Sequence, residues 1–240
     1  MGRPKSFLVL AASAALTLVV PHVPYLEMLA RPLLWLSTLA HELGHGVAAE
    51  LVGGEFLRFE MFSDGSGVAT TRSSTPWQRA AISAGGLVGP AMTAMVLFAM
   101  ARQERFARWG LGIVALTYAA ALALVVRNLF GVVFVGSLVA VLLALVRWGN
   151  AFVARFALVF LAVNLSASVF TRGDYLFTDQ AMTSRGPMPS DVANMATALW
   201  LPYWFWGLVC GAFSLVALAM GLWIYLYGAD EPGMDETGVT

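Results

Sequence analysis

LSTLAHELGHGVAAELVGG, residues 36–54, has the apolar content of a buried helix, yet it holds two histidines and a glutamate within five positions, His41, Glu42 and His45. On a helix His41 and His45 are one turn apart and differ by only about 40° around the axis, so both imidazoles face one point. Glu42 sits about 60° further round than His45, at the edge of that face. The pattern is H-E-x-x-H. Its geometry suits a zinc ion held by two ring nitrogens, with the carboxylate left free to take a proton from a water that the ion acidifies.

Outward from the motif, the setting is lipid. The chain has 240 residues, of which 59% are hydrophobic and 12% charged. Its mean hydropathy is +0.76. Soluble domains carry about 25% charged residues. Fourteen basic and fourteen acidic residues cancel, which gives nucleic acid nothing to bind. Cys210 is the only cysteine, so no internal disulfide can form. Polar groups at membrane depth cost about 2.5 kcal/mol or more each, and three of them clustered in a chain with three histidines point to function. The plainer reading is a hydrogen-bonded polar network without metal.

Apolar runs long enough to cross a bilayer, about 20 residues each, predict an all-α polytopic membrane protein of about six to seven spans. They fall at 6–20, 26–52, 77–101, 151–170 and 201–227, with 110–146 read as two helices meeting at Arg127-Asn128. The first run could continue past Pro21 and Pro24 as a kinked span. It could also serve as a signal peptide, but no clear small-x-small cleavage site follows, so an uncleaved span is favoured. Residues 53–76 open with Gly-Gly, a helix-ending signal, and place strand-like residues on both sides of Ser63-Asp64-Gly65-Ser66-Gly67, which predicts a small β-hairpin. Residues 1–228 read as a single transmembrane domain and 229–240 as an acidic, disordered tail. The balance of basic residues favours a cytoplasmic N-terminus in the cell membrane, and the motif end of the second span shares a face with the loop after the sixth.

Three stretches resemble the site-2 protease superfamily of intramembrane zinc metalloproteases, and its compact branch without a PDZ domain in particular. AHELGHGVAA resembles the zinc helix, and LRFEMFSDGSGV the membrane-associated hairpin behind it. SAGGLVGPAMTAM resembles the Gly-Pro segment of the next helix, with Gly89-Pro90 matching and Thr93 where asparagine is common. The resemblance is good over residues 26–95 and poor beyond. It implies a zinc-dependent endopeptidase with Glu42 as general base, acting on a membrane-spanning protein substrate. That substrate would be added as a strand to the hairpin, near Phe62, Asp64, Gly65 and Gly67.

The family's third ligand, an aspartate in Leu-Asp-Gly or Pro-Asp-Gly, has no counterpart here. A catalytic zinc needs three protein ligands and an open position. Asp174, in FTRGDYLFTDQ, is the first candidate and Asp179 the second; Asp191, in MPSDVANMA, follows them because it also reads as a helix N-cap. Arg127 and Asn128 could stabilise an oxyanion or line a water route, or simply mark a turn. Asn128 and Asn164 are also candidates to support the ligands from behind. Trp200, Tyr203, Trp204, Phe205 and Trp206 read as an interfacial aromatic belt. Two other functions share these features: a non-proteolytic metal-binding protein of the same fold, and a metal-ion transporter. The intact Glu42 argues against the first and the scarcity of other charges at depth against the second.

Overall fold

The computed structural model describes residues 3–171, 176–183 and 186–228. Asp174 and the acidic tail at 229–240 lie outside the described residues. The chain is predominantly helical. Its elements are α1 (Arg3–Val19), α2 (Glu27–Leu51), β1 (Glu55–Met61), β2 (Gly67–Arg72), α3 (Pro76–Ala101), α4 (Glu104–Leu124) and α5 (Leu129–Trp148). They continue with α6 (Ala151–Thr171), β3 (Gln180–Thr183), β4 (Gly186–Pro189), α7 (Asp191–Leu199) and α8 (Tyr203–Tyr227).

Six of these helices, α1 with the turn after it, α3, α4, α5, α6 and α8, are long and apolar enough to cross a membrane. The protein is a multi-pass integral membrane protein. The motif helix α2 is not among the six: Arg31, Glu42 and Glu50 and the two motif histidines interrupt its apolar surface. Pro21 and Pro24 end the first helix instead of kinking it. A 3-10 turn at Val20–His22 follows, then Tyr25 with φ at 72°. The apolar block at 110–146 divides as expected, at the four residues between Leu124 and Leu129.

Local signals set the helix ends. At the start of α3, Thr75 and Gln78 form a reciprocal capping box with Pro76 in the first turn. The Gln78 amide also donates to the Val52 carbonyl at 2.9 Å, which fastens the N-terminus of α3 to the C-terminus of α2. Gly53, with φ at 76°, supplies the left-handed residue that terminates α2. The two helices then touch backbone to backbone. A Cβ on Gly44 would run into the Gly85 carbonyl, and one on Gly86 into the His45 ring. Small residues at these positions let α3 approach the motif closely, as membrane packing favours.

The hairpin β1–β2 is antiparallel, pairing Phe59 with Ala69 and Met61 with Gly67, with a register shift between Phe56 and Arg58. Its β1 side is closed. The Phe59 amide donates to the Val125 carbonyl at 2.7 Å, and the Arg127 amide donates to the Phe59 carbonyl at 3.0 Å. Because Phe59 spends its backbone groups outward, Ala69 opposite it must face away from β1, and by the two-residue period so do Gly67 and Thr71. The free edge of the ribbon therefore belongs to β2.

In the long polar connection expected at 171–200 the described residues take up regular structure. It holds a second antiparallel hairpin, β3–β4, and the short helix α7, which packs against α3 and α8. The main core lies between the helices, with Leu39 of α2, Phe98 of α3, Leu111 of α4 and Leu158 of α6 all fully buried.

Candidate metal centre

Helix α2 turns His41 and His45 to the same side, as their spacing requires. Their Nε2 atoms stand 3.2 Å apart. Facing them is Asp191, the first residue of α7: its Oδ2 lies 3.2 Å from His41 Nε2 and 3.4 Å from His45 Nε2. The three ligand atoms form a nearly equilateral triangle. Donor atoms at about 2.0–2.1 Å from a tetrahedral zinc are themselves roughly 3.3 Å apart. Among the described residues these three form the group whose His, Cys, Asp or Glu ligand atoms converge closely enough to hold a metal ion.

The donor set supports the same conclusion. His45 Nδ1 lies 2.8 Å from the Ile82 carbonyl, which can only accept, so Nδ1 carries the proton. In the neutral ring Nε2 then turns a lone pair toward a carboxylate oxygen that also carries lone pairs. A metal cation between them removes the repulsion, as does a proton on Nε2 when no metal is bound. Burial alone would push the Asp191 carboxyl up, but the adjoining His45 and His41 outweigh it and hold the group well below the usual carboxylate range.

Asp191 reaches this position because it is not the cap of its helix. Ser190 is: its hydroxyl accepts from the Ala193 amide at 3.2 Å and donates to the Thr178 carbonyl at 2.6 Å. The expectation that Asp191 itself caps the helix is corrected by one residue. With Ser190 at the cap, the Asp191 carboxylate is available to the histidines. Asp179 is exposed and contributes its backbone carbonyl to the Ser190 amide at 3.0 Å. Its carboxylate is not part of the converging group. Asp174, the first candidate, lies outside the described residues. The pairing of a cap-type serine with the aspartate behind it was the available signal for Asp191.

Glu42 is buried, 7% exposed, and points the other way, to the hairpin. Its Oε2 accepts from the Ala69 amide of β2 at 2.7 Å. The same ribbon is fastened to α2 at two further points: Thr38 donates to the Gly65 carbonyl at 2.5 Å, and the Trp35 indole to the Ser63 carbonyl at 3.2 Å. Gly65 (φ 91°) fits a position where a side chain would strike Leu34, and a Cβ on Gly67 would press on Thr38 and Glu42. Of the hairpin residues expected to meet a substrate, Gly65 and Gly67 border a cavity of about 230 Å³ shared with His41, Glu42, His45 and Asp191. Phe62 and Asp64 build the turn instead. The Phe62 amide and carbonyl close it, and Asp64 Oδ1 accepts from the Ser66 amide at 2.9 Å.

Asn128 and Asn164 do not support the ligands. Asn128 holds the hairpin, accepting from the Met61 amide at 3.1 Å and donating to the Met61 carbonyl at 2.5 Å. Its role is to mimic a neighbouring strand where α5 begins. Arg127 is exposed and donates to the carbonyls of Val126 and Leu124, so it closes the turn between α4 and α5. Asn164 is buried in α6, and its Oδ1 has no hydrogen-bond partner among the described residues.

The profile of the peptidase M50B-like family matches residues 9–221. The chain therefore belongs to that family, the site-2 protease family of zinc-dependent membrane metalloproteases. Comparison with curated proteins and with solved structures returns no match.

Proposed function

We propose that this protein is a zinc-dependent intramembrane endopeptidase that cleaves a membrane-spanning protein substrate. The observation that carries the reading is the triangle of His41 Nε2, His45 Nε2 and Asp191 Oδ2, with Glu42 on the same cavity. His41, His45 and Asp191 would hold the zinc. When bound, zinc supplies a Lewis acid that polarises a carbonyl and acidifies water near neutral pH.

The chain's own residues do the rest. Glu42 takes the proton of the attacking water and returns it to the leaving amine. The Ala69 N–H fixes one carboxylate oxygen by a hydrogen bond of 2.7 Å, which orients the base. The free edge of β2 runs along the same cavity through Gly67, Ala69 and Thr71. An unwound substrate segment added there as a strand would bring its peptide bonds past Glu42. Across the cavity, Ala181, Met188 and Pro189 of the second hairpin give the opposing wall. A cytoplasmic N-terminus in the cell membrane, with the bilayer and a transmembrane protein as partners, belongs to this reading.

The reading is tested with purified protein in liposomes and a model transmembrane substrate. Cleavage is expected to stop when a chelator strips the metal and to return on adding stoichiometric zinc. Chelator-insensitive cleavage, or none under any metal condition, would count against it.

A further inference from the structure

A second, much smaller cavity, about 20 Å³, lies on the other side of the His41 ring. Its lining includes His41 from α2, Gly86 and Pro90 from α3, Ser168 and Ser214 from α6 and α8, and apolar side chains such as Val169 and Leu176. A water molecule needs roughly 10–15 Å³ of such space and two to four polar partners. The volume suits one water, and a mainly apolar lining is broken by the His41 ring, the Ser168 and Ser214 hydroxyls and the backbone of α3.

Each polar group has a reason to be there. The contacts of His41 to other polar groups among the described residues run through Nε2, so Nδ1 remains for the far side of the ring. His45 places its own Nδ1 on the Ile82 carbonyl. One turn along α3 from Ile82 is Gly86, the helical counterpart for a histidine one turn back on α2. The Gly86 carbonyl has no helical donor, because its partner four residues on would be the nitrogen of Pro90, which carries no hydrogen. Gly86 has no side chain, so what it presents to the cavity is backbone. Ser214 is 1% exposed, and its side chain makes no hydrogen bond to the described residues. Ser168 donates to the Leu165 carbonyl at 2.7 Å, and a hydroxyl that donates can also accept.

We infer that this cavity holds one ordered water, which accepts from His41 Nδ1 and donates to the Gly86 carbonyl and the Ser214 hydroxyl. The two metal-facing imidazoles are thereby fixed by the same helix through different means: His45 by a direct carbonyl, His41 by a carbonyl released by proline and relayed through water. Ser214 and Pro90 are positioning residues. The inference rests on the metal-site reading above, since the water's work is to fix the His41 tautomer with its Nε2 lone pair toward the ion.

The test is zinc retention, read as the rate of metal transfer to a competing chelator, together with the visible spectrum of the cobalt-substituted protein. Ser214→Val, which fills the cavity with methyl groups, is expected to speed metal loss about 10–100-fold and to alter the cobalt spectrum, as outer-shell changes do. Ser214→Thr, which keeps the hydroxyl, should stay near wild type. Pro90→Ala restores an N–H that competes for the Gly86 carbonyl. It is expected to raise thermal stability while weakening metal retention, a split that a purely structural role would not give. Wild-type retention and spectra in both Ser214→Val and Pro90→Ala would overturn the inference and leave the metal site standing. Wild-type protein that takes up neither zinc nor cobalt would overturn the metal site itself.

Discussion

Glu42→Gln is expected to lower cleavage of a transmembrane substrate by about 10²–10⁴-fold, the usual contribution of a positioned general base, while leaving zinc content unchanged. The substitution is nearly isosteric, and the amide oxygen can still accept from the Ala69 N–H that the carboxylate meets at 2.7 Å. The contact between α2 and the hairpin is therefore kept, and only proton transfer is lost. Glu42→Ala is a poorer test, because it also leaves a buried amide unpaired, at about 1–3 kcal/mol. The measurement is single-turnover cleavage in liposomes with metal analysis of the same preparations. Appreciable activity in Glu42→Gln would remove Glu42 from the chemistry. Loss of zinc in that variant would recast it as part of the metal site.

Asp191→Ala should abolish stable zinc binding, and activity with it. A group touching the ion has more to lose than the roughly 10–100-fold that outer-shell partners contribute. The helix should survive, since Ser190 holds the cap of α7 through the Ala193 amide and contributes its own link to Thr178. Asp179→Ala, changing an exposed side chain, is expected to behave as wild type. Asp174→Ala should also retain zinc, because the triangle is complete without it. Equilibrium dialysis against buffered zinc separates the three variants. Retained zinc in Asp191→Ala with loss in Asp174→Ala would reverse the assignment.

The spans, the hairpin and the two histidines were legible in the sequence because each rests on a short-range rule. Helical spacing brings His41 and His45 together whatever surrounds them, and Gly53 marks the end of α2 by its φ of 76°. What the sequence did not show is long-range. Asp191 meets the histidines because β3–β4 and α7 fold back against α3 and α8, and no local pattern encodes that return. Within the loop, Asp191 turned on a single helix position: an aspartate following a serine can be the cap or the residue after it, and only the second leaves the carboxylate to reach across. Asn128 misled for a related reason. A polar residue at membrane depth signals an obligation to bond, and here the obligation was to the Met61 backbone of β1.

The most direct measurement of the central claim is zinc K-edge absorption on the detergent-purified protein, with metal quantified per chain. One zinc per chain is expected, coordinated by two imidazole nitrogens and one carboxylate oxygen, with the signal lost in His41→Ala. Protein that stays metal-free in the presence of zinc, or a zinc signal identical in wild type and His41→Ala, would contradict it.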